Sequence, residues 1–296
     1  MMLSQHERCQ LAERLAREAG ALGLGYFSDL ETLQVDRKGH QDLVSEADRA
    51  LEQHIRSGIE AAFPQDAILG EEDGFAEGKS EYVWVIDPID GTANFVSGIP
   101  AWTVVIALVE NSRVMAGFIY EPAMDIMYTA YDGEGAFRNG VRMSVAAGAD
   151  IMTGSIAVGF SNRSKQGFIE TLVASVVAEG GVFFRNASGA LSLAYVADGR
   201  LIGYSEDHMN AWDYLAGQLM VREAGGCVET QDLETVLPHG GRVVAAALDA
   251  GAAAAHVRGA RRLVLPRDAV RVDRLLLHPL PPRCGPRQSH AAGRPR

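Results

Sequence analysis

The chain has 296 residues, of which 47% are hydrophobic, and it carries a formal net charge of -11 with a pI near 5.2. This content is enough for the core of one large domain or two small ones, and the acidic balance argues against a nucleic-acid or anionic-membrane partner. The three cysteines, Cys9, Cys227 and Cys284, lack metal-binding spacing, which is typical of a reducing cytoplasm rather than of a disulfide framework. The N-terminus lacks a leader-like apolar region and no run is long enough to cross a bilayer, so we expect a soluble cytoplasmic protein.

Two helices are predicted first. Residues 3–24 place leucine and alanine on one face and charged side chains mostly on the other, which predicts an amphipathic helix. Ser45, with Asp48 three residues later, forms a capping box that predicts a helix through about Ile59. Helix capping is enough to explain Asp48, so the residue types alone leave its role open.

An acidic turn and a buried strand follow. The apolar run Ile68–Gly70 predicts a short strand, and three acids, Glu71, Glu72 and Asp73, come directly after it. Residues 83–87 are apolar without alternation up to Asp87, which predicts a strand that is buried on both faces. Pro88 cannot donate a ladder hydrogen bond, so we expect the strand to end there.

Two carboxylates, Asp87 and Asp90, stand three residues apart after this strand and are followed by Gly91 and Thr92. Glycine lets the backbone approach a ligand closely, and amides at the start of a helix attract anions. Carboxylates that would repel each other are typical ligands of divalent cations. The stretch therefore predicts a site for divalent cations and a phosphate group.

The middle of the chain predicts a meandering antiparallel sheet, because β-rich runs alternate with turn residues. The runs are 102–109, 114–120 and 127–130, and residues 132–140 form tight turns around a short strand. Further on, the pattern predicts helices at 167–179 and 191–196 and a strand at 201–205.

A last informative helix begins near Trp212 and ends at Gly225-Gly226. Asp213 lies in its first turn, where the helix dipole favours an acid. As with Asp48, capping alone would explain this residue.

Three motifs in this order are similar to those of one family. D-P-I-D-G-T-A-N-F at residues 87–95 resembles the signature of the inositol monophosphatase family of Mg²⁺-dependent phosphatases. The family's G-E-E stands at 70–72, and W-D-x-x-A-G at 212–217, followed by E-A-G-G at 223–226, resembles its second signature. The resemblance covers about residues 38–248.

This resemblance implies an α+β fold, a layered α-β-α-β-α sandwich of the sugar-phosphatase type. It would occupy residues 1–250, with a metal site between two halves at about 1–145 and 146–250. The implied activity is that of a phosphoric monoester hydrolase, most like an inositol-1-monophosphatase, which uses two or three Mg²⁺ ions, is inhibited by Li⁺ and forms a homodimer.

The resemblance also implies a ligand set. Glu71, Asp87 and the carbonyl of Ile89 would hold the first metal ion. Asp87, Asp90 and Asp213 would hold the second, and a weaker third ion would use Glu71 and water. Oxygen ligands of this kind suit Mg²⁺, which keeps several waters and needs few carboxylates.

For catalysis, the family pattern assigns Thr92, with Glu71, to orient and deprotonate the attacking water, while Asp90 contributes as a ligand. The backbone amides of Gly91 and Thr92 would hold phosphate oxygens. A segment that borders the family's metal site matches Lys38, Asp42 and Asp48, with Ser45 in place of threonine.

Substrate choice is less well defined by the residues. The resemblance implies that Glu206, Ala190 and Asp213 line the substrate site. Relatives have R-x-x-G-[ST]-A where this chain has R-N-A-S-G-A at 185–190, so one polyol contact is expected to be lost or moved. His208 beside Glu206 is interpreted as a structural residue, although a Glu–His pair would also suit an amine-bearing substrate such as histidinol phosphate.

The alternatives to an inositol phosphatase are therefore a histidinol-phosphate phosphatase and a regulatory binding protein on the same scaffold, as some bacterial relatives are thought to be with the transcription machinery. For either phosphatase, we expect the binding partner to be a small phosphate ester. Residues 251–296 hold ten of the 27 basic residues and are rich in proline and arginine. We interpret them as a partly disordered tail, with a frameshifted reading or a cloning remnant as alternatives.

Overall fold

The structure is a computed structural model that describes residues 3–39 and 42–247. The helices are α1 (Leu3–Phe27), α2 (Glu46–Ala62), α3 (Thr92–Val96), α4 (Phe168–Ala178), α5 (Gly189–Ala197), α6 (Ala211–Glu223) and α7 (Leu233–His239). The strands are β1 (Val35–Gly39), β2 (Asp42–Ser45), β3 (Ala67–Gly70), β4 (Gly74–Ala76), β5 (Tyr82–Asp90), β6 (Thr103–Glu110), β7 (Arg113–Glu121), β8 (Ile126–Tyr131), β9 (Gly135–Arg138), β10 (Val141–Arg142), β11 (Ser155–Val158), β12 (Val182–Phe184), β13 (Gly203–Met209), β14 (Cys227–Val228) and β15 (Gly241–Ala246).

Strand β5 lies inside a sheet with the order β10-β9-β8-β7-β6-β5-β3-β4. Strands β6 to β10 form the predicted antiparallel meander, and β5 extends it by pairing antiparallel with β6, whereas β3 pairs with β5 in parallel. Because successive side chains of a strand point to opposite faces, Trp84 and Ile86 enter one hydrophobic cluster and Val85 enters another. The prediction of a strand buried on both faces is confirmed.

The two faces of this sheet are covered by different helices. Helices α1 and α2 pack on one face, with Leu15 and Ile55 among their fully buried residues. Helices α5 and α6 pack on the other face and also contact β13, β14 and β15 of a second sheet. The hydrophobic cluster between the two sheets draws on both halves of the chain, from Leu69 to Ala245.

The second sheet has the order β12-β11-β13-β15-β14. In its strand β11, Ala157 belongs to the hydrophobic cluster with α5 and α6. Ile156 and Val158, on the opposite face of the strand, pack with α4. The layers are therefore α1/α2, sheet, α5/α6, sheet and α4, and the predicted α-β-α-β-α sandwich is confirmed. Among the helices that the structure describes, none is both long enough and apolar enough to cross a membrane.

Helix α6 approaches its neighbours closely because two glycines leave space for it. A side chain at Gly117 of β7 would come within 2.8 Å of Ala216 Cα, and one at Gly217 would come within 2.5 Å of Leu193 Cβ. These contacts fix the position of α6 between the sheet and α5. They thereby fix Asp213, which lies in the first turn of α6.

Most predicted elements are found, with two corrections. Strand β5 does not end at Pro88: its pairing with β6 shifts after Asp87 and resumes between Asp90 and Thr103, so Pro88 lies in a bulge, where its missing N–H is tolerated. The strand predicted at 201–205 begins later, at Gly203, and continues to Met209. The interpretation of residues 251–296 concerns a segment outside the described residues.

Candidate active site

Three carboxylates from three different elements come together at one end of the first sheet. Glu71 follows β3, Asp87 lies in β5 and Asp213 begins α6, and one carboxylate oxygen from each lies within 4.8 Å of the others. The sequence predicted all three as metal ligands, and the structure brings them together across 142 positions of the chain (71 to 213).

The electrostatics of this cluster favour a cation. Asp87 is only 1% exposed, burial raises its pKa well above the usual value, and the charges of Glu71 and the other neighbouring carboxylates add to that rise. Burial, and next the charge of Asp90, raise the pKa of Asp213 to about 7. Carboxylates that are held close in this way are relieved by a hard divalent cation, so the donor set fits Mg²⁺.

Asp90 lies beside this cluster, but its carboxylate is engaged by the start of α5. It accepts hydrogen bonds from the Ser188 hydroxyl at 2.5 Å and from the backbone amides of Gly189 and Ala190 at 3.2 and 2.9 Å. Burial raises the pKa of Asp90, and these hydrogen bonds oppose the rise. Asp90 is not a member of the close group of three, and its role as a ligand remains a prediction.

Thr92 is bonded to a residue that the sequence placed at the edge of the site. Its hydroxyl lies 3.0 Å from Asp48 Oδ1 and 3.1 Å from the carbonyl oxygen of Ile89. Asp48 is completely buried, and its other oxygen accepts from the backbone amide of Ser45 at 2.8 Å, so the capping box of α2 is confirmed. The structure thus places Thr92 within hydrogen-bond distance of Asp48, and the predicted joint action of Thr92 and Glu71 on the attacking water remains a prediction.

The backbone around Gly91 turns sharply between β5 and α3. Gly91 has a φ of 99°, in the left-handed region that glycine adopts without strain, and it is the N-cap residue of α3. Both Gly91 and Thr92 line a cavity, as their predicted phosphate contacts require. The side chains of Lys38 and Asp42, on β1 and β2, lie outside the described part of the chain.

The cavity has a volume of about 480 Å³ and lies between the carboxylate cluster and the second sheet. Its walls combine acidic, basic and small polar residues. They include Glu71, Asp90, Thr92, Phe160, Ser161, Asn162, Arg163, Arg185, Ala187, Ser188, Gly189, Tyr204, Glu206, Met209 and Asp213. The volume is sufficient for a small phosphate ester and too small for a macromolecule.

Glu206 occupies the wall that was predicted to contact the substrate. Tyr204 donates a hydrogen bond to Glu206 Oε2 at 2.5 Å, and burial raises the pKa of Glu206 to about 7. His208 does not line this cavity, and its Nε2 lies 2.9 Å from the carbonyl oxygen of His239. The contact with His239, next to a register shift between Glu206 and Met209, favours the structural interpretation of His208.

The segment before α5 differs from what the sequence suggested. Ala190 was predicted to contact the substrate, but it is buried, does not line the cavity and donates its amide to Asp90. Ala187 has a φ of 62°, a conformation that favours glycine. The glycine of the family pattern therefore corresponds better to Ala187 than to Ser188, and the following positions to Ser188 and Gly189.

Sequence reasoning missed several residues of the cavity wall. Arg163, Arg185 and Tyr204 line the cavity, and Ser188 donates to Asp90. Arg185 stands in the R-N-A-S-G-A stretch at 185–190, so its neighbourhood was a usable signal, although the shift of the glycine to Ala187 takes Arg185 out of the first place of the family pattern. Arg163 and Tyr204 have no local pattern that marks them.

Comparison with known proteins identifies relatives of the whole site-bearing region. Residues 4–262 match the model of the Inositol monophosphatase family. The chain is 42% identical over 222 residues to the inositol-1-monophosphatase of Mesorhizobium japonicum, which is 74% of this chain and 84% of that protein. It is 38% identical over 227 residues to Nus factor SuhB of Escherichia coli strain K12, covering 75% and 85% of the two chains.

Solved structures agree with these sequence matches. The extragenic suppressor protein suhB from Bartonella henselae superposes with a TM-score of 0.76 at 35% identity, covering 81% of this chain and 93% of that one. The Thermotoga maritima IMPase superposes with a TM-score of 0.72 at 30% identity, covering 81% and 92%. From its motifs, its layers and these matches, the chain belongs to the inositol monophosphatase family.

Proposed function

We propose that this phosphoric monoester hydrolase hydrolyses a small polyol phosphate, inositol-1-phosphate being the leading candidate, with Mg²⁺ as cofactor. The observation that carries the proposal is the carboxylate cluster of Glu71, Asp87 and Asp213 at one end of a cavity of about 480 Å³. Asp90 and the carbonyl of Ile89 would complete the oxygen ligands for two or three ions.

Bound Mg²⁺ would supply positive charge that activates water and stabilises the departing alkoxide. The chain's own residues would hold the reactants. The backbone amides of Gly91 and Thr92 would donate hydrogen bonds to phosphate oxygens, because both residues border the cavity beside the carboxylates. The phosphate would then lie next to the carboxylate cluster, so bound cations would be needed to balance the negative charges.

Thr92 and Asp48 would handle the proton of the attacking water. When the Thr92 hydroxyl donates to Asp48 Oδ1, its own oxygen lone pairs are free to accept a hydrogen bond from a water in the cavity. That hydrogen bond would orient the water with a lone pair directed at phosphorus. The water proton would pass to the Thr92 oxygen as the Thr92 proton passes to Asp48, so one proton is moved without net charge on Thr92.

The alcohol part of the substrate would lie against Glu206. Because the pKa of this carboxyl is raised to about 7, both its protonated and ionised forms are available near neutrality, so it can donate to or accept from a hydroxyl. His208 faces away towards His239, which supports a polyol rather than an amine-bearing substrate. The similarity to the Mesorhizobium japonicum inositol-1-monophosphatase supports the same choice.

The proposal includes a homodimer, which the exposed edge of the second sheet supports. Val182 and Phe183 of the edge strand β12 are 62% and 46% exposed, and Val177 of the adjacent α4 is 57% exposed. An apolar edge strand is a surface on which a second copy can pair. Phe183→Glu should convert a dimer to a monomer in light scattering, whereas Met124→Glu, at another exposed apolar position, should not.

A regulatory binding role is the second candidate, and the 38% identity to Nus factor SuhB favours it. The two roles are compatible, since a partner could bind outside the cavity. Pull-down with the protein and with a variant of the metal cluster would show whether a partner depends on the site.

The decisive experiment is phosphate release at millimolar Mg²⁺, with and without Li⁺, from inositol-1-phosphate, histidinol phosphate, fructose-1,6-bisphosphate and adenosine 3',5'-bisphosphate. We expect Li⁺-sensitive turnover of inositol-1-phosphate above the other three, and its loss in Asp213→Asn. A preference for histidinol phosphate would overturn the substrate, and no turnover of any of the four by a protein that binds Mg²⁺ would overturn the proposed reaction.

A further inference from the structure

A buried carboxylate on α2 holds the turn that carries Glu71. Glu52 is 0% exposed, and its Oε2 accepts a hydrogen bond from the backbone amide of Glu72 at 2.8 Å, while its Oε1 accepts from that of Asp73 at 3.0 Å. Neither of these contacts involves the helix on which Glu52 lies. The side chain therefore reaches across to the backbone of the turn directly after Glu71.

Arg56, one helical turn further along α2, completes the attachment. Its Nε donates to Glu52 Oε1 at 2.7 Å, and its Nη2 donates to the carbonyl oxygen of Gly74 at 2.5 Å. Arg56 is 5% exposed, so both bonds are shielded from water. The pair thus forms hydrogen bonds with two backbone amides of the turn and with the carbonyl oxygen at its end.

The turn is also fixed on its opposite side. The Glu71 amide donates to the carbonyl oxygen of Ile86 in β5, at 3.2 Å, and Gly70 pairs with Gly74 where β3 and β4 meet. The fit around Gly70 is close: a side chain there would come within 2.1 Å of Glu52 Oε1. Glu71 consequently lies on a backbone that is clamped between β5 and α2.

Stability alone does not account for this pair. A buried ion pair contributes little to folding compared with apolar side chains of the same size, because both charges must leave water. Glu52 also brings a further carboxylate close to three acids, Glu71, Glu72 and Asp73, and Arg56 offsets that charge. The Glu52–Arg56 pair instead fixes the position of the turn, whose three acidic side chains repel one another.

We propose that Glu52 and Arg56 are positioning residues that hold Glu71 in place to bind a divalent cation, an inference that rests on the proposed function. They touch neither the cavity nor the other two carboxylates of the cluster among the contacts of the described residues. Their effect is transmitted through the backbone of residues 71–74. Outer partners of this kind typically change metal affinity by about 10-fold to 100-fold when they are altered.

The test compares this pair with a matched ion pair elsewhere in the same layer. Arg8 and Asp66 form an equally buried pair at 2.7 Å, at the opposite end of β3 from Glu71. In Glu52→Gln and Arg56→Lys, the affinity for Mn²⁺, measured by electron paramagnetic resonance without substrate, should fall about 10-fold. The Mg²⁺ concentration that half-saturates activity should rise by the same factor. Arg8→Lys should lower the melting temperature without changing either quantity.

Glu52→Asp is a more conservative substitution, for use if Glu52→Gln or Arg56→Lys does not fold. Glu52→Asp keeps the charge but withdraws the carboxylate from the two amides, so it should weaken Mn²⁺ binding while the ion pair is retained. In the unaltered protein, the amides of Glu72 and Asp73 should be protected from hydrogen exchange. Free exchange of both amides, or equal Mn²⁺ affinity in the Glu52, Arg56 and Arg8 variants, would overturn the inference. Failure of the unaltered protein to bind Mn²⁺ would instead contradict the proposed function.

Discussion

The hydroxyl of Thr92 lies 3.0 Å from Asp48 Oδ1, although the two residues are 44 positions apart in the chain. The same Asp48 caps α2 through its other oxygen, which accepts the amide and the hydroxyl of Ser45. Capping and a role beside the site are therefore not alternatives: the cap fixes one oxygen of the carboxylate so that the other meets Thr92.

Asp48→Asn tests the proton route. An amide can present its nitrogen to Ser45 or to Thr92 but cannot accept a proton at physiological pH, so we expect kcat to fall about 100-fold or more. Ser45→Ala is the matched control, because it removes the hydroxyl of the cap at a cost of about 1 kcal/mol in stability while leaving the carboxylate. Single-turnover phosphate release measures both. Equal activity losses in the two variants would show that only the cap matters.

Asp90→Asn tests the predicted ligand role of Asp90. The substitution removes a charge beside Asp87 and Asp213, and we expect at least a ~100-fold loss of kcat without unfolding, because a lost contact in such a site typically costs about 3 kcal/mol of barrier. Ser188→Ala provides the control, since it removes the hydrogen bond that Asp90 accepts from that hydroxyl, and with it the N-cap contact to the Leu191 amide, while leaving the Asp90 carboxylate in place. If Asp90→Asn keeps near-normal turnover, Asp90 serves to anchor α5 and the metal assignment is wrong.

The sequence predicted the acidic residues of the site because their motifs are local. Asp87 and Asp90 stand in one short stretch, and Glu71 and Asp213 belong to motifs that can be recognised without knowing the fold. The bond between Thr92 and Asp48 could not be predicted in the same way, since it depends on how α2 packs against β5. The clamp of Glu52 on the turn after β3 has the same long-range origin.

The strand boundaries and the α5 segment show a different limit. Pro88 was expected to end β5, but hydrogen bonding to β6 resumes at Asp90, and only the register of the partner strand reveals that. At Ala187 the positive φ is a property of the folded backbone, so a pattern search placed the family glycine one position too late. The layered fold, by contrast, followed from the family resemblance, while apolar periodicity predicted individual helices and strands.

Stability of the metal-free protein should depend on pH through Asp213. Its pKa is about 7 in the folded chain and about 3.9 in an unfolded chain, so between those values the folded state binds more protons. The free energy of unfolding should therefore fall as pH rises from about 4 to 7. Asp213→Asn, which carries no charge, should be more stable than the parent protein by about 1 kcal/mol or more at pH 8, and this difference should vanish towards pH 4.

Urea unfolding in a chelator measures this difference, with Glu77→Gln as a control at an exposed carboxylate. Adding Mg²⁺ at pH 8 should stabilise the parent protein and not Asp213→Asn, because an ion that binds only the folded state raises its stability. A difference between parent and variant that is the same at both pH values would contradict the raised pKa of Asp213.

Ala187→Gly should stabilise the protein. Ala187 has a φ of 62°, where a Cβ atom costs about 1–2 kcal/mol, and this exceeds the loss of about 0.5–1 kcal/mol that the greater freedom of glycine brings in the unfolded chain. We expect a net gain of about 1 kcal/mol in urea unfolding. Ala190→Gly is the control: Ala190 lies in α5, so glycine there should destabilise by about 0.5–1 kcal/mol. Losses at both positions would show that Ala187 is unstrained.

Variants of Glu206 and His208 test whether the substrate is a polyol phosphate or an amine-bearing phosphate ester. Glu206 lines the cavity and accepts a hydrogen bond from Tyr204, whereas His208 does not line it and lies 2.9 Å from the carbonyl oxygen of His239. For inositol-1-phosphate we expect Glu206→Gln to raise KM about tenfold, since a hydrogen bond to a charged group contributes about 1.5–3 kcal/mol, and His208→Ala to change it less than about twofold. Steady-state kinetics with both phosphate esters measure this. If His208→Ala instead raises KM for histidinol phosphate while Glu206→Gln leaves inositol-1-phosphate unaffected, the substrate carries an amine, and β13 must present His208 to the cavity when that substrate binds.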